Sequence, residues 1–303
     1  MSERVVRRLG PASIQETTGH VAAAVPASEI FLSPGSTVPR GVPVVAFVIS
    51  RSGSTSEALL AADHLLTHHP ENVQVIGITC NSGTQLAGRV RHTIALPHAT
   101  EISVVMTQSY TNMLLALQIV AALIAEHATL LNQLARLPEL LEAELPGYET
   151  FARDLGNNLE LDQFIYLGLG PNYGLAQEAT LKLKEMTQTP CEAYNPLEFR
   201  HGPISIVRRG TAVVLLEGER EREYVSAVET DVRRYGAYVA AIAPYATGNA
   251  DTAILLPSDL ADVAKCVLYL PPVQLIAYYR AQALGLDPDQ PRNLTQVVVL
   301  SGG

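Results

Sequence analysis

The stretch from Val42 to Leu66 limits the possible folds more than any other part of this chain. Val42-Pro43-Val44-Val45-Ala46-Phe47-Val48 is a continuous apolar run of strand length. Ser50-Arg51-Ser52-Gly53-Ser54-Thr55 follows at once, and Ser56 to Leu66 then repeats apolar residues at helical spacing. A strand apolar throughout is covered on both faces, as in a parallel sheet. Where such a strand turns directly into a helix, the N–H groups of the first helical turn face outward and the helix dipole favours an anion there. Gly53 lets the backbone approach closely. Ser50, Ser52, Ser54 and Thr55 add uncharged hydroxyl donors, which suit a phosphate that must also leave. An ordinary helix cap would use one such hydroxyl.

The same alternation continues along the chain. Residues 42–50, 73–80 and 93–96 read as strands, with helices over 55–68 and 103–128. Residues 130–151, rich in Leu and Glu, read as a helical connector. A second series follows, with strands at 164–169, 212–216, 238–242 and 252–256 and helices at 173–187, 222–235 and 264–284. The expected fold class is α/β, with two doubly wound parallel-sheet domains: residues 1–135, a connector at 136–150, and residues 151–303. The common rhythm suggests internal duplication. The counterpart of the hydroxyl-rich turn reads Glu217-Gly218-Glu219-Arg220, which repels phosphate, so one phosphate pocket per chain is expected. The run from Glu217 to Glu223 reads as a solvated helix start.

Composition narrows the partners. A formal net charge of −9 argues against nucleic acid. An anionic ligand must then be held by local dipoles and hydroxyls. Cys80, Cys191 and Cys266 have neither metal-site nor disulfide spacing, which points to a reducing cytoplasm. Cys191 reads as packing. The longest apolar stretch, 113–125, is interrupted by Gln118 and too short to span a bilayer, so no membrane partner is expected. Residues 1–10 are basic but lack the apolar core of a signal peptide.

The second half carries Leu181-Lys182-Leu183-Lys184-Glu185-Met186, then Glu192-Ala193-Tyr194-Asn195-Pro196-Leu197-Glu198-Phe199-Arg200-His201-Gly202-Pro203. Together with the 50–55 turn, Glu101-Ile102-Ser103-Val104 and Asp289-Gln290-Pro291-Arg292-Asn293-Leu294, these resemble the double sugar-isomerase-domain (SIS) family. That family includes the isomerase half of glutamine–fructose-6-phosphate aminotransferase and sugar-phosphate deaminases lacking a glutaminase half. The resemblance runs from about residue 15 to near the carboxyl end. It implies a phosphorylated sugar as partner, with Ser50, Arg51, Ser52, Gly53, Ser54 and Thr55 around the phosphate. It places Glu101, Val104 and Thr107 along the sugar pocket. Glu185 falls on the carboxylate that moves a proton between the first two sugar carbons, and Lys182 on a site lysine. His201 falls on the ring-opening histidine, which the family supplies from the neighbouring subunit of a homodimer. Neither a metal nor an organic cofactor is implied.

Physical chemistry is compatible with these roles. Aldose–ketose exchange needs a base that takes a proton beside a carbonyl and returns it one carbon away. Lys182 and Glu185 lie one turn apart on a common helix face; the same spacing also suits a plain surface ion pair. His201, before Gly202-Pro203, is placed in a tight loop as an acid–base group or as a structural histidine. Glu198 orients it or caps the loop. Glu101 is expected to open the helix beginning near residue 103, with Thr107 within its first two turns.

Three departures from the family pattern stand out. Its opening strand and Gly-rich turn have no match here, so either the chain is cut short at its start or the first sheet has lost a strand, and a sheet without that strand is expected to expose an edge. Gln296 stands where aminotransferase-type members carry an imine-forming lysine. Met106 and Gln108 replace a serine and a lysine, and 107–111 is closer to the deaminase-like branch. No glutaminase segment is seen, so glutamine is not the expected ammonia donor. The expected function is a hexose 6-phosphate isomerase or deaminase, with a sugar-phosphate sensor on the same fold as the alternative.

Overall fold

The computed structural model describes residues 6–295 and 297, with side chains from residue 10 onward. The chain opens with α1 (Val6–Thr18), α2 (Ala27–Leu32) and α3 (Pro34–Thr37). Then come β1 (Val44–Ile49), α4 (Ser56–His68), β2 (Val73–Thr79), α5 (Gln85–Arg89) and β3 (His92–Ala95). The helices α6 (Gln108–Ile124), α7 (Ala128–Ala135) and α8 (Leu137–Asn157) lead into the second half. There β4 (Gln163–Gly168), α9 (Pro171–Thr187), β5 (Cys191–Tyr194), α10 (Pro196–Phe199), β6 (Thr211–Leu216), α11 (Arg222–Arg234), β7 (Tyr238–Ala243) and β8 (Thr252–Leu255) precede α12 (Asp262–Lys265) and α13 (Leu270–Ala283).

The strands form two parallel sheets. The first has the order β1-β2-β3 and the second β5-β4-β6-β7-β8. The series β1-β2-β3 repeats β6-β7-β8, in line with the α/β duplication read from the sequence. Every residue of β6 is buried between β4 and β7. By contrast, among the described residues β1 pairs only with β2, and Val45 at its exposed edge is 53% accessible. Among the described residues, the first sheet therefore has two strands fewer on the β1 side than the second has on the β6 side, with no counterpart of β4 or β5.

One apolar core joins the two halves. It runs from Ile78, Tyr110 and Leu117 through Leu183 and Leu216 to Ile276, with α8 packed along α13. Smaller cores lie behind each sheet, around Ala62 and Val75 and around Val213 and Val228. The expected boundary at residue 150 falls within α8, which continues past its internal Pro146. All three cysteines are buried free thiols. Among the described residues, no helix is long and apolar enough to cross a membrane.

Several expectations are corrected. The helix read over 103–128 begins only at Gln108, and Glu101 lies in the loop before it. The helix read over 264–284 is three pieces: α12, a 3-10 turn at Cys266–Tyr269, and α13. Pro271 and Pro272 cannot donate backbone hydrogen bonds, so the chain restarts there with prolines in the first helical turn. Residues 191–194 form a strand. The run after Leu216 is not solvated at its start: Glu217 is only 2% exposed, because Tyr245 and Tyr269 close over it.

Candidate functional site

The 50–55 turn leaves the carboxyl end of β1 and enters α4. Ser50 is fully buried; its Oγ lies 3.1 Å from Thr55 Oγ1 and accepts a 3.2 Å bond from the Gly53 N–H. Ser52 Oγ accepts from the N–H and hydroxyl of Ser54, at 3.2 and 3.0 Å. Thr55 occupies the N-cap position of α4 without a side-chain capping bond. The hydroxyls thus bond one another and are not spent on the helix end. Gly53 has φ +62°, and a Cβ there would stand 2.4 Å from Thr84 Oγ1. Only glycine satisfies both the left-handed backbone and the close approach of α5.

Arg51 reaches from this turn toward the next loop. Its guanidinium donates to the Ser103 carbonyl at 3.0 Å and lies 3.8 Å from Glu101. Glu101 accepts from the N–H groups of Thr107, Gln108 and Ser109 and from the hydroxyls of Thr107 and Ser109. A carboxylate so placed neutralises three of the orphan donors at the start of α6 and complements its dipole. Its oxygens are engaged by the protein, so Glu101 holds the loop and Arg51 in place. The Val104 N–H is likewise engaged, donating to the Asp289 carbonyl at 3.0 Å. Thr107 remains at the pocket: with Ser103, Met186, Gln274 and Asp289 it lines a cavity of about 300 Å³ between the two halves.

On α9, Lys182 is fully buried between two carboxylates. Its Nζ lies 2.6 Å from Glu185 Oε2 and 3.4 Å from Glu178 Oε1. Glu178 is fully buried, and burial pushes its carboxyl up to about 8 against the pull of Lys182. Burial alone would discharge Lys182, yet Glu178 and Glu185 outweigh it and hold the ammonium above the usual lysine range. Glu185 keeps 13% of its side chain accessible and precedes the cavity-lining Met186. A plain surface pair is therefore excluded: the lysine is internal, and only Glu185 of the three reaches solvent. Sequence reading missed Glu178. Its spacing of four before Lys182 and seven before Glu185 put all three on one helical face.

The candidate site does not lie wholly at strand carboxyl ends. The 50–55 turn does, after β1. However, α9 runs back against its sheet, so its last turn, with Glu185, reaches the amino end of β5. The two halves meet across the cavity: Arg51 of the turn donates to Ser103, which lines it together with Met186, the neighbour of Glu185 in sequence. His201 is exposed on the turn after α10, its N–H donating to the Glu198 carbonyl. Among the described residues, no hydrogen bond or ion pair joins His201 to Lys182 or Glu185. Asn195, not Glu198, caps α10 with its side chain. Cys191 donates to the Thr180 carbonyl, and burial pushes its thiol up to about 12, which fits packing. Gln296 lies outside the described residues. Among the described residues, no group of three His, Cys, Asp or Glu side chains is arranged to hold a metal ion.

Comparison with known proteins places this arrangement. The SIS domain pattern matches residues 10–123 and again 160–274, and the chain belongs to the SIS domain family. A glutamine–fructose-6-phosphate aminotransferase of Methanothermobacter thermautotrophicus is 31% identical over 281 residues, covering 90% of this chain and 46% of that protein. One from Caldanaerobacter subterraneus is 29% identical over 272 residues, covering 85% and 44%. The chain thus spans about half the length of these relatives. Among solved structures, a glucosamine-6-phosphate deaminase of Thermotoga maritima is 27% identical, with TM-score 0.82 over 99% of this chain and 88% of that one. A tagatose-6-phosphate ketose/aldose isomerase of Escherichia coli shares the fold, with TM-score 0.85 and 24% identity over 100% and 84%. The curated relatives are isomerizing aminotransferases of fructose 6-phosphate, and the two solved structures are a deaminase and an isomerase of phosphorylated sugars.

Proposed function

We propose that this protein is a hexose 6-phosphate isomerase or deaminase, with an amino sugar as the favoured substrate. The observation that carries the reading is the buried Glu178–Lys182–Glu185 cluster, open to solvent only at Glu185, next in sequence to Met186 of a cavity whose Ser103 accepts from Arg51 of the hydroxyl-lined turn. The phosphate is held by the backbone and hydroxyls of residues 50–55, and Arg51 adds charge at its edge. Glu185 takes the proton beside the sugar carbonyl and returns it to the neighbouring carbon. Lys182 fixes the Glu185 carboxylate and stabilises negative charge developing on the substrate oxygen. Glu101 positions Arg51 and the start of α6. His201, exposed on its turn, opens the sugar ring of a site in a neighbouring copy; the protein then works as a homodimer in the cytoplasm.

The test is proton exchange. Fructose 6-phosphate and glucosamine 6-phosphate, each incubated with the protein in deuterium oxide, should exchange the hydrogen at the reacting carbon. Release of ammonia from glucosamine 6-phosphate alone would separate deaminase from isomerase. A sensor is the second reading, supported by the unpaired β1 edge leading directly into the phosphate turn. It requires saturable sugar-phosphate binding with no exchange in either substrate.

A further inference from the structure

The turn that carries His201 is held at several points, and none of them is the imidazole. Phe199 is fully buried and sits in the core behind the second sheet with Val225, Val228 and Val232 of α11. The Asn195 carboxamide oxygen accepts from the N–H groups of Leu197 and Glu198 at 2.9 and 3.4 Å. The His201 N–H donates to the Glu198 carbonyl at 3.0 Å, and Gly202 follows at φ +135°, an angle that favours glycine. Among the described residues, no side-chain hydrogen bond or ion pair reaches the imidazole or the Glu198 carboxylate. The ring therefore points where the backbone of its turn aims it, and Glu198 does not orient it.

Arg200, the residue before His201, leaves the turn toward α11. Its guanidinium donates to Asp231 Oδ2 at 2.8 Å, and Arg234 donates to the other carboxylate oxygen at 3.1 Å. Asp231 keeps only 18% of its side chain accessible, whereas Arg200 keeps 43%. Asp231 is thus a fixed post on a helix whose Val228 and Val232 are buried in the core, and Arg200 is the tether. So exposed a pair contributes little to stability. Its effect is directional. Phe199 pins the turn at one residue and leaves it free to pivot; the tether at the next residue removes the pivot.

We propose that the Arg200–Asp231 pair is the positioning clamp of the ring-opening histidine, setting the direction of His201 toward the sugar of a neighbouring copy. This rests on the reading of His201 given above. Opening a furanose breaks the C2–O5 bond, delivers a proton to O5 and takes one from the anomeric hydroxyl, which becomes the ketone. A histidine that serves this step must stay within hydrogen-bond reach of the ring oxygen, so a misdirected imidazole costs rate. Proton transfer by Glu185 comes afterwards, on the open sugar, and does not depend on the clamp.

The experiment compares two sugars in deuterium oxide, with rates taken per folded molecule of the full chain. Fructose 6-phosphate is mostly a closed ring. 5-Deoxyfructose 6-phosphate lacks O5 and has O6 phosphorylated, so it stays open. Arg200→Ala and Asp231→Ala should each slow deuterium entry into fructose 6-phosphate about tenfold and leave entry into the open sugar within about twofold. The double variant should be no slower than either single one, since both remove the same contact. Arg200→Lys, which keeps the charge, should recover most of the rate. Arg208→Ala breaks another exposed ion pair, with Asp162 at 2.9 Å, and should leave both sugars unchanged. Equal losses on the two sugars, no loss, or additive losses in the double variant would overturn the proposal. His201→Asn, run beside them, should also spare the open sugar. If it does and Arg200→Ala does not discriminate, the clamp falls and the ring-opening reading stands. If His201→Asn slows both sugars alike, or neither, that reading fails and takes the clamp with it.

Discussion

Lys182 Nζ lies 2.6 Å from Glu185 Oε2, with the lysine fully buried and the carboxylate at the edge of solvent. This arrangement makes the ammonium part of the interior and leaves the carboxylate able to reach the proposed site. Glu178, 3.4 Å from the same nitrogen, is the buried partner. Lys182→Met removes the cation and strands Glu185 beside a buried carboxyl. Such a break costs about 3 kcal/mol of stability. Turnover should fall about 100-fold or more beyond that loss of folded protein. Denaturant titration together with activity per folded molecule separates the two effects.

Glu178→Gln tests the same cluster through pH. The Glu178 carboxyl is raised by burial from its ordinary value to about 8, so the folded protein holds a proton there that the unfolded chain releases. Stability from this group is therefore present at low pH and declines as pH rises from about 4.5 to about 8. The variant should lose that decline. The difference between thermal melts at pH 5 and pH 8.5 should be smaller for the variant than for the parent, with the part due to Glu217 and Glu229 remaining.

A second buried carboxyl makes the same prediction far from the proposed chemistry. Glu217 is pushed up to about 8 by burial, and Glu229 is also raised by burial, close beside it. The folded state again binds the extra proton, and stability falls as pH rises through the same window. Glu217→Gln should raise stability at pH 8.5 by on the order of 2 kcal/mol, a few degrees in melting temperature, with little change at pH 5. Sugar-phosphate turnover at pH 7 should be unaffected, as measured by steady-state rate.

Gly53→Ala tests the phosphate turn. The new methyl would stand 2.4 Å from Thr84 Oγ1 at a backbone angle of +62°. The strain costs about 1–3 kcal/mol and opens the turn. Titration calorimetry should show fructose 6-phosphate binding weakened at least tenfold, while Gly88→Ala, in α5 with no neighbour near its Cβ and no left-handed backbone, should leave it within about threefold.

Much of the fold is legible in the sequence because most strands are short runs dominated by apolar and β-branched residues and closed by turn residues. The strands around Val45, Ile76, Val214 and Ala240 and the hydroxyl-rich turn follow from local pattern alone. The start of α6 does not, since Glu101 caps it from a loop seven residues away. Nor does β5, whose Cys-Glu-Ala-Tyr sequence is mixed in character and becomes a strand only by pairing with β4. Glu217 looks like solvent in the sequence; two tyrosines distant along the chain bury it. In the site, Lys182 and Glu185 are visible by spacing, whereas their burial is a tertiary fact that spacing alone does not carry.

The central claim concerns the Glu185 carboxylate, and its most direct measurement compares Glu185→Gln with the parent chain. Both should bind fructose 6-phosphate with affinities within about fivefold, because the 50–55 turn is intact. Solvent deuterium should enter the sugar in the parent, and at least about 100-fold more slowly in the variant. Undiminished exchange in Glu185→Gln would contradict the account, and so would a parent chain that binds the sugar phosphate and exchanges nothing.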